Sequence, residues 1–412
     1  LRRGHRGRAL SRRPRVTRSR GAPPRCMKIC DLTQFYSPVS GGVKRYISEK
    51  VAWMRRARPD DRHVLIVPGA ETAMREDGLA RVYTIRSPLV SRTARYRALL
   101  NLTAVEEVLE KERPDVIESG DPYQVAWKAL ASGDALGIPV VGFYHSHFPE
   151  AYLRTIDKFF GRIAVDITRD VSRRYVRELY NRFAATIVPS PALARLLAGW
   201  GVQNTRLGEL GVDTKLFHAQ GSAAERHQVR GALDIADDRV LLLYVGRLAP
   251  EKNVTTLFEA FAQLDESRFA LVVIGDGPER RHLSRLRERN NNIHWLPYQG
   301  DGQQLARLYR AADLFVHPGV QETFGLVALE SQGSGTPVVG IRGSYMDRII
   351  FTDQNHWAAE NSPAALADAI RTMAGRDLAS EGREAAARVH QFYGWDRVFE
   401  RLFGVYAGVA RR

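Results

Sequence analysis

Short apolar runs alternate with helix-forming stretches through both halves of this chain. That alternation restricts the fold to parallel sheets with helices packed on their faces. In the first half the runs are Lys28–Leu32, His63–Val67, Arg81–Ile85, Val116–Glu118, Val140–Tyr144 and Ala185–Val188. In the second they are Val240–Val245, Phe269–Ile274, Ile293–Leu296, Leu314–Val316 and Pro337–Gly340. Helical composition fills the gaps at Val43–Arg56, Leu99–Glu112 and Tyr123–Ser132, then at Thr255–Gln263, Glu279–Arg289 and Gln303–Ala311. A Gly/Ala-rich polar connector at Gly208–Ala236 divides the halves. The expected architecture is α/β, with two facing Rossmann-like domains over residues 27–208 and 209–392. A ligand cleft is expected where the carboxyl ends of the two sets of strands meet.

Composition supports a core in each half, since 44% of the 412 residues are hydrophobic and 26% are charged. No apolar run approaches the roughly 18 residues of a membrane-spanning helix. Cys26 and Cys30 are too few and too close for a disulfide framework, which points to a reducing, cytoplasmic setting. The net charge of +15 is lopsided: residues 1–26 carry ten arginines and no acidic side chain. This segment lacks the large apolar residues needed to fold alone and is expected to be a disordered basic leader. Sequence upstream of the true start, a targeting peptide and a nucleic-acid-binding arm are the alternatives. Arg12-Arg13 has no apolar region after it, and no aromatic residues interleave the arginines.

Glu322-Thr-Phe-Gly-Leu-Val-Ala-Leu-Glu330 places two carboxylates eight positions apart around a glycine, between a buried strand and a helix. The helix is expected to run from Phe324 to Ser331, with Glu330 about two turns in. A regular helix would put roughly 12 Å between the carboxylates, with free N–H groups between them to receive an anion. Gly246-Arg-Leu-Ala-Pro-Glu-Lys-Asn253 follows a strand and precedes a helix, so Arg247 and Lys252 share a loop at a sheet's carboxyl edge. Two cations there suit a diphosphate whose charge grows as a sugar leaves. Ser40-Gly-Gly-Val-Lys-Arg-Tyr46 opens the first helix, where Gly41 and Gly42 let backbone approach a ligand closely. His145-Ser-His147 ends another strand, but no third metal ligand accompanies it. Asp121 reads as a turn-forming aspartate or a cleft-facing one, and Gly275-Asp-Gly-Pro278 as a structural turn. Asp-x-Asp is absent from the chain. From Tyr152 to Phe183 apolar residues including Ile167, Val171, Tyr175, Leu179 and Phe183 step by three or four. That is one face of a long helix, or of two helices hinged at Gly161, with a basic remainder that faces water or an anionic membrane surface.

In these motifs the chain resembles the retaining GT-B glycosyltransferases of group 1, whose hallmark is two glutamates separated by seven residues. The resemblance spans nearly all of residues 28–410 and is nearest to lipid mannosyl- and sulfoquinovosyltransferases. It implies that Glu322 contacts the donor sugar and Glu330 the ribose, while Arg247 and Lys252 clamp the pyrophosphate. It further implies donor contacts from Gly41, Gly42, Phe324, Gly325 and Leu326, and a place for His145 beside the reacting sugar. The helix at Tyr393–Ala410 would cross back to the first domain, carrying residues 393–412 with it. Leu207-Gly-Glu-Leu210 and Tyr345-Met-Asp347 depart from the family pattern. The expected activity is metal-independent, cofactor-free transfer of a hexose from a UDP- or GDP-linked donor to a lipid or glycan hydroxyl, with α configuration kept. Such an enzyme would sit in the cytoplasm or peripherally on the inner membrane face, with no nucleic-acid partner. A nucleotide-sugar 2-epimerase of the same fold and a basic membrane- or nucleic-acid-binding protein are the rival readings.

Overall fold

The computed structural model describes residues 26–36, 42–90, 95–144, 168–320, 325–344, 346 and 348–410. The first half comprises β1 (Lys28–Leu32), α1 (Gly42–Ala57), β2 (Arg62–Gly69), β3 (Ala73–Asp77), β4 (Ala80–Arg86), α2 (Leu102–Glu112), β5 (Val116–Ser119), α3 (Gln124–Leu136), β6 (Val140–Phe143), α4 over 168–180, β7 (Ala185–Val188), α5 (Pro191–Gly199) and β8 (Thr205–Leu207). The second comprises α6 (Ala223–Gly231), β9 (Val240–Val245), α7 (Val254–Phe261), β10 (Phe269–Ile274), α8 (Arg280–Arg287), β11 (Ile293–Leu296), α9 (Gly302–Ala311), β12 (Leu314–Val316), α10 (Leu326–Gly333), β13 (Val338–Val339), α11 (Pro363–Ala374), α12 (Leu378–Phe392) and α13 (Trp395–Ala410).

The first sheet has the order β3-β4-β2-β1-β5-β6-β7-β8 and the second β11-β10-β9-β12-β13. All pairings are parallel except β3 with β4. Helices cover both faces of each sheet, so a strand such as Phe269–Ile274 is buried along its whole length. Strand order reverses direction between β1 and β5 and between β9 and β12, and those two points open the crevices where ligands bind in such sheets.

The expected strands all form, but three elements differ from the sequence reading. β3 is exposed at every position and pairs only along the edge, so it carries no apolar pattern. The connector holds a helix, α6, whose buried Arg230 donates to Asp313 and to the backbone oxygens of Ala311 and Ala236. In α4 the buried stripe is Val176, Leu179 and Tyr180, continued by Phe183 just beyond the helix, while Val171 is 62% exposed and outside it. The rest of the expected 152–183 stripe lies largely outside the described residues.

α13 packs on the first domain as the resemblance implies. Trp395, Phe399, Leu402, Phe403 and Tyr406 join Met27, Ile29, Tyr46 and Trp53 in one core. The Trp53 and Phe403 rings lie 4.8 Å apart. Beneath them Lys50, wholly buried, sets its Nζ 2.7 Å from Asp31, 3.2 Å from Glu118 and 3.0 Å from the Tyr406 hydroxyl. Tyr406 in turn donates to Glu118. The chain crosses between domains twice at one place, where the Val212 amide donates to Tyr393 O at 2.8 Å. A Cβ on Gly211 would meet the Trp395 ring at 2.7 Å, so the two crossings touch through a glycine. Glu209, one of the departures from the family pattern, pairs there with Arg401 at 2.9 Å and Arg348 at 3.6 Å.

Candidate active site

The loop after β9 is shaped by close backbone crossings. Gly246 has φ +156°, and a Cβ on Gly275 would lie 2.0 Å from Gly246 O. The Leu248 amide donates to Asp276 O at 2.9 Å, and the Glu279 amide to Leu248 O at 2.9 Å. The Gly275–Pro278 turn is thus a brace under the loop that carries Arg247 and Lys252. Asn253, in the left-handed region at φ 57°, ties that loop to the one after β12: its Nδ2 donates to Pro318 O at 2.8 Å. Arg247 is 62% exposed and pairs with Glu251.

α10 begins at Leu326 because Gly325 adopts φ 60°, ψ 40°. A Cβ there would meet Met346 Cε at 2.2 Å, so only glycine fits. Among the described residues no side chain caps the helix, so its start is suited to an anionic ligand. Its start, Lys252, Gly246, His317 and Gly42 of the first domain line one cavity of about 190 Å³ between the two sheets.

Glu330, in contrast, is not part of that lining and is buried. Its Oε2 accepts from the Tyr309 hydroxyl at 3.0 Å, and its Oε1 from Arg45 Nη1 of the first domain at 2.5 Å. Burial pushes its carboxyl above the usual range, against the opposing pull of Arg45 and Tyr309. The Arg45 guanidinium also lies 5.4 Å from the centre of the Phe217 ring.

Across the cleft, at the end of β5, Asp121 is buried and accepts from the Gln34 amide at 2.6 Å. Burial pushes its carboxyl up to about 7. Phe35 packs edge-on against Tyr96 at 5.9 Å and Tyr123 at 5.8 Å. Burial raises the Tyr96 phenol while the Arg247 charge opposes it, so the aromatic edge of the first domain faces the basic loop of the second.

Residues 225–387 match the family model of glycosyl transferases group 1, and residues 40–216 that of glycosyltransferase family 4. The chain is 30% identical over 393 residues to a GDP-mannose-dependent alpha-(1-6)-phosphatidylinositol dimannoside mannosyltransferase of Mycobacterium tuberculosis, covering 93% of this chain and 97% of that one. The chain belongs to the group 1 glycosyltransferases. It is also 32% identical over 246 residues to the sulfoquinovosyl transferase SQD2 of Arabidopsis thaliana, across 59% of this chain and 45% of that one. Sucrose-phosphate synthase from Thermosynechococcus elongatus superposes with a TM-score of 0.74 at 21% identity, over 93% of this chain and 99% of that chain. That likeness shows the GT-B fold.

In this glycosyltransferase Gly42, Lys252, Gly325 and Leu326 meet at one cavity, with Arg247 on the same loop as Lys252. Glu330 lies one turn into its helix rather than two, because the left-handed Gly325 delays the helix start to Leu326. Gly41, His145, His147, Glu322 and Phe324 lie outside the described residues. The sequence reading missed Arg45, Tyr309, His317 and Asn253. Arg45 had a signal, since it follows Gly42 by three positions and so shares a helical face with it. His317 ends an apolar strand, just before Pro318.

Proposed function

We propose that this glycosyltransferase moves a hexose from a nucleotide-sugar, GDP-mannose first among the candidates, to an acceptor hydroxyl with retention and without a metal ion. The observation that carries this reading is the cavity where Lys252, the start of α10 and Gly42 converge. A cation and the start of a helix at one point between facing sheets suit a diphosphate. The GDP-mannose dependence of the mycobacterial relative supports the choice of donor.

In this reading Arg247 and Lys252 hold the diphosphate, and the backbone at Gly41, Gly42, Phe324, Gly325 and Leu326 closes around it. Glu322 orients the sugar hydroxyls, His145 borders the reacting face and Glu330 takes the ribose. The bond from C1 to the phosphate oxygen breaks through an oxocarbenium-like state, and the acceptor oxygen bonds C1 on the same face. The acceptor proton passes to the leaving phosphate oxygen, so α configuration is kept. A lipid-linked acceptor is supported by the carboxyl edge of the first sheet. Leu89, Val90 and Leu100 are 46%, 70% and 62% exposed there, near the exposed Arg86 and Arg95. Apolar and cationic side chains together suit an anionic amphiphile, which supports a peripheral position on the inner membrane face. Among the described residues no helix is long and apolar enough to cross a membrane.

The test is thermal unfolding with GDP-mannose, UDP-glucose and ADP-glucose in chelator, followed by turnover with the donor that binds. Donor at 100 times its Kd adds about 2.7 kcal/mol of stability. Lys252→Ala is expected to lower kcat about 10²- to 10³-fold. No shift with any donor, or an epimerised sugar formed from donor alone, would replace this reading.

A further inference from the structure

We propose that a second cavity, at the amino edge of the second sheet, is a binding site for a phosphate group. Arg310 lies near the end of α9, just before β12, and Ser334 follows α10, just before β13. With Ser222 and Arg226 at the start of α6 and Arg383 of α12 they border a cavity of about 290 Å³. Leu326 lines the cavity of Lys252 and Ser334 lines this one, so the two lie at opposite ends of α10, roughly 12 Å apart along the helix. They share no lining residue and can be told apart by mutation.

Charge and hydrogen-bonding capacity both point to an oxyanion. Among the described residues the lining carries three guanidinium groups, of Arg226, Arg310 and Arg383, against the carboxylate of Glu225. Arg226 is committed on one side, where it donates to Asp313 at 2.5 Å and to Ala311 O at 3.0 Å. Glu225 takes one edge of Arg310, accepting from its Nε at 2.8 Å. The other edge is unused: Arg310 Nη1 is buried and has no partner among the described residues. Ser334 is 3% exposed, and its hydroxyl has none either. Ser222 accepts from the Glu225 amide at 3.0 Å, which leaves its hydroxyl proton for a further acceptor. A buried N–H and a buried O–H without acceptors are costly, and the cavity that both residues border can admit the acceptor. The shape agrees. A Cβ on Gly221 would meet Arg310 Cδ at 2.9 Å, and one on Gly335, at φ +86°, would meet the Ala219 Cβ at 2.8 Å. Glycine at both places keeps the cavity from filling. Its volume is several times the roughly 30 Å³ share of one water, so a phosphate group fits. Phosphate oxygens point in several directions, which suits guanidinium and hydroxyl donors arriving from α6, α9, α10 and α12.

The experiment titrates inorganic phosphate calorimetrically into the whole chain at about 0.15 M NaCl. Wild type, Arg383→Gln, Ser334→Ala and Lys252→Ala are compared, each checked for folding by circular dichroism. Arg383 is exposed, and the Ser334 hydroxyl bonds no described residue, so both variants should fold without loss of thermal stability. Wild type and Lys252→Ala should bind phosphate alike. Arg383→Gln should weaken binding about tenfold, and Ser334→Ala about three- to tenfold. No binding to wild type in millimolar excess of phosphate would overturn the site. Binding lost in Lys252→Ala but kept in Arg383→Gln and Ser334→Ala would put the phosphate in the other cavity, and would overturn it too. Phosphatidylcholine vesicles with and without phosphatidate separate the two sources of such a group. Cosedimentation that needs phosphatidate and falls in both Arg383→Gln and Ser334→Ala assigns the site to a lipid headgroup. Cosedimentation unaffected by those changes, beside weakened phosphate binding, assigns it to a soluble phosphate.

Discussion

The cluster around Lys50 and the pair formed by Arg45 with Glu330 both join distant parts of the chain, yet one is sealed from water and the other touches it. Lys50, Asp31, His63, Glu118 and Tyr406 are buried throughout, and each charge has several partners. Arg45 and Glu330 are a single pair whose cation keeps nearly a third of its surface in solvent. The first cluster fastens α13 to the first domain, whereas the second fastens the first domain to α10 of the other. A multiply bonded buried charge can leave only at the full cost of desolvated partners, while a single half-exposed pair can exchange with water or ligand. The fold therefore contains one joint sealed from water and one that water reaches.

Removing charge from the sealed joint should have the largest effect. Lys50→Met leaves Asp31 and Glu118 buried without their cation and should cost about 3–5 kcal/mol in urea unfolding. A cost near that of a surface substitution would show that the cluster is not a fixed joint. The second test is the pH dependence of the same cluster. Burial, then Asp31, pushes Glu118 up to about 7 although Lys50 opposes, whereas Lys50 and His63 hold Asp31 below the usual range in spite of its burial. A carboxyl raised in the folded state contributes stability that is complete below its unfolded value of 4.5 and lost as pH rises through about 7. Wild type should thus lose about 2–3 kcal/mol more than Glu118→Gln between pH 4.5 and 7.5, and equal losses would remove the assignment.

Tyr406→Phe deletes one hydroxyl that joins Lys50 to Glu118, so about 1–2 kcal/mol should be lost, with the retained ring keeping α13 in place. Proteolysis of α13 in that variant at native conditions would mean the hydroxyl, not the packing, holds the helix. The other joint should lose no more than this: Arg45→Met leaves Glu330 buried but still bonded by Tyr309, so about 1–2 kcal/mol should be lost. A loss as large as that of Lys50→Met would make both joints structural and erase the contrast.

The strands of both sheets were legible because parallel strands buried on both faces must be apolar along their length, as Val240–Val245 and Phe269–Ile274 are. The loop after β9 and the start of α10 were legible for a similar reason: Gly246 and Gly325 stand where no other residue fits. β3 was not legible, since the edge pairing that holds it asks nothing of its side chains. Lys50 reads in sequence as one more solvated charge in an amphipathic helix. Only the approach of β1, β5 and α13 makes it the centre of a buried cluster. Arg45 was missed because its partner lies 285 positions away on another domain, and no local pattern records such a contact.

The return of α13 to the first domain also sets an order of assembly during synthesis. A ribosome releases β1 through β8 long before residues 395–410 emerge, so Met27, Tyr46 and Trp53 wait without the aromatic side chains that cover them. The second sheet, whose cores are built from residues 212–393, can close first although it is made later. A nascent chain halted before Trp395 should thus expose an apolar surface to chaperones on its earlier half, inverting the usual rule that the amino-terminal domain folds first.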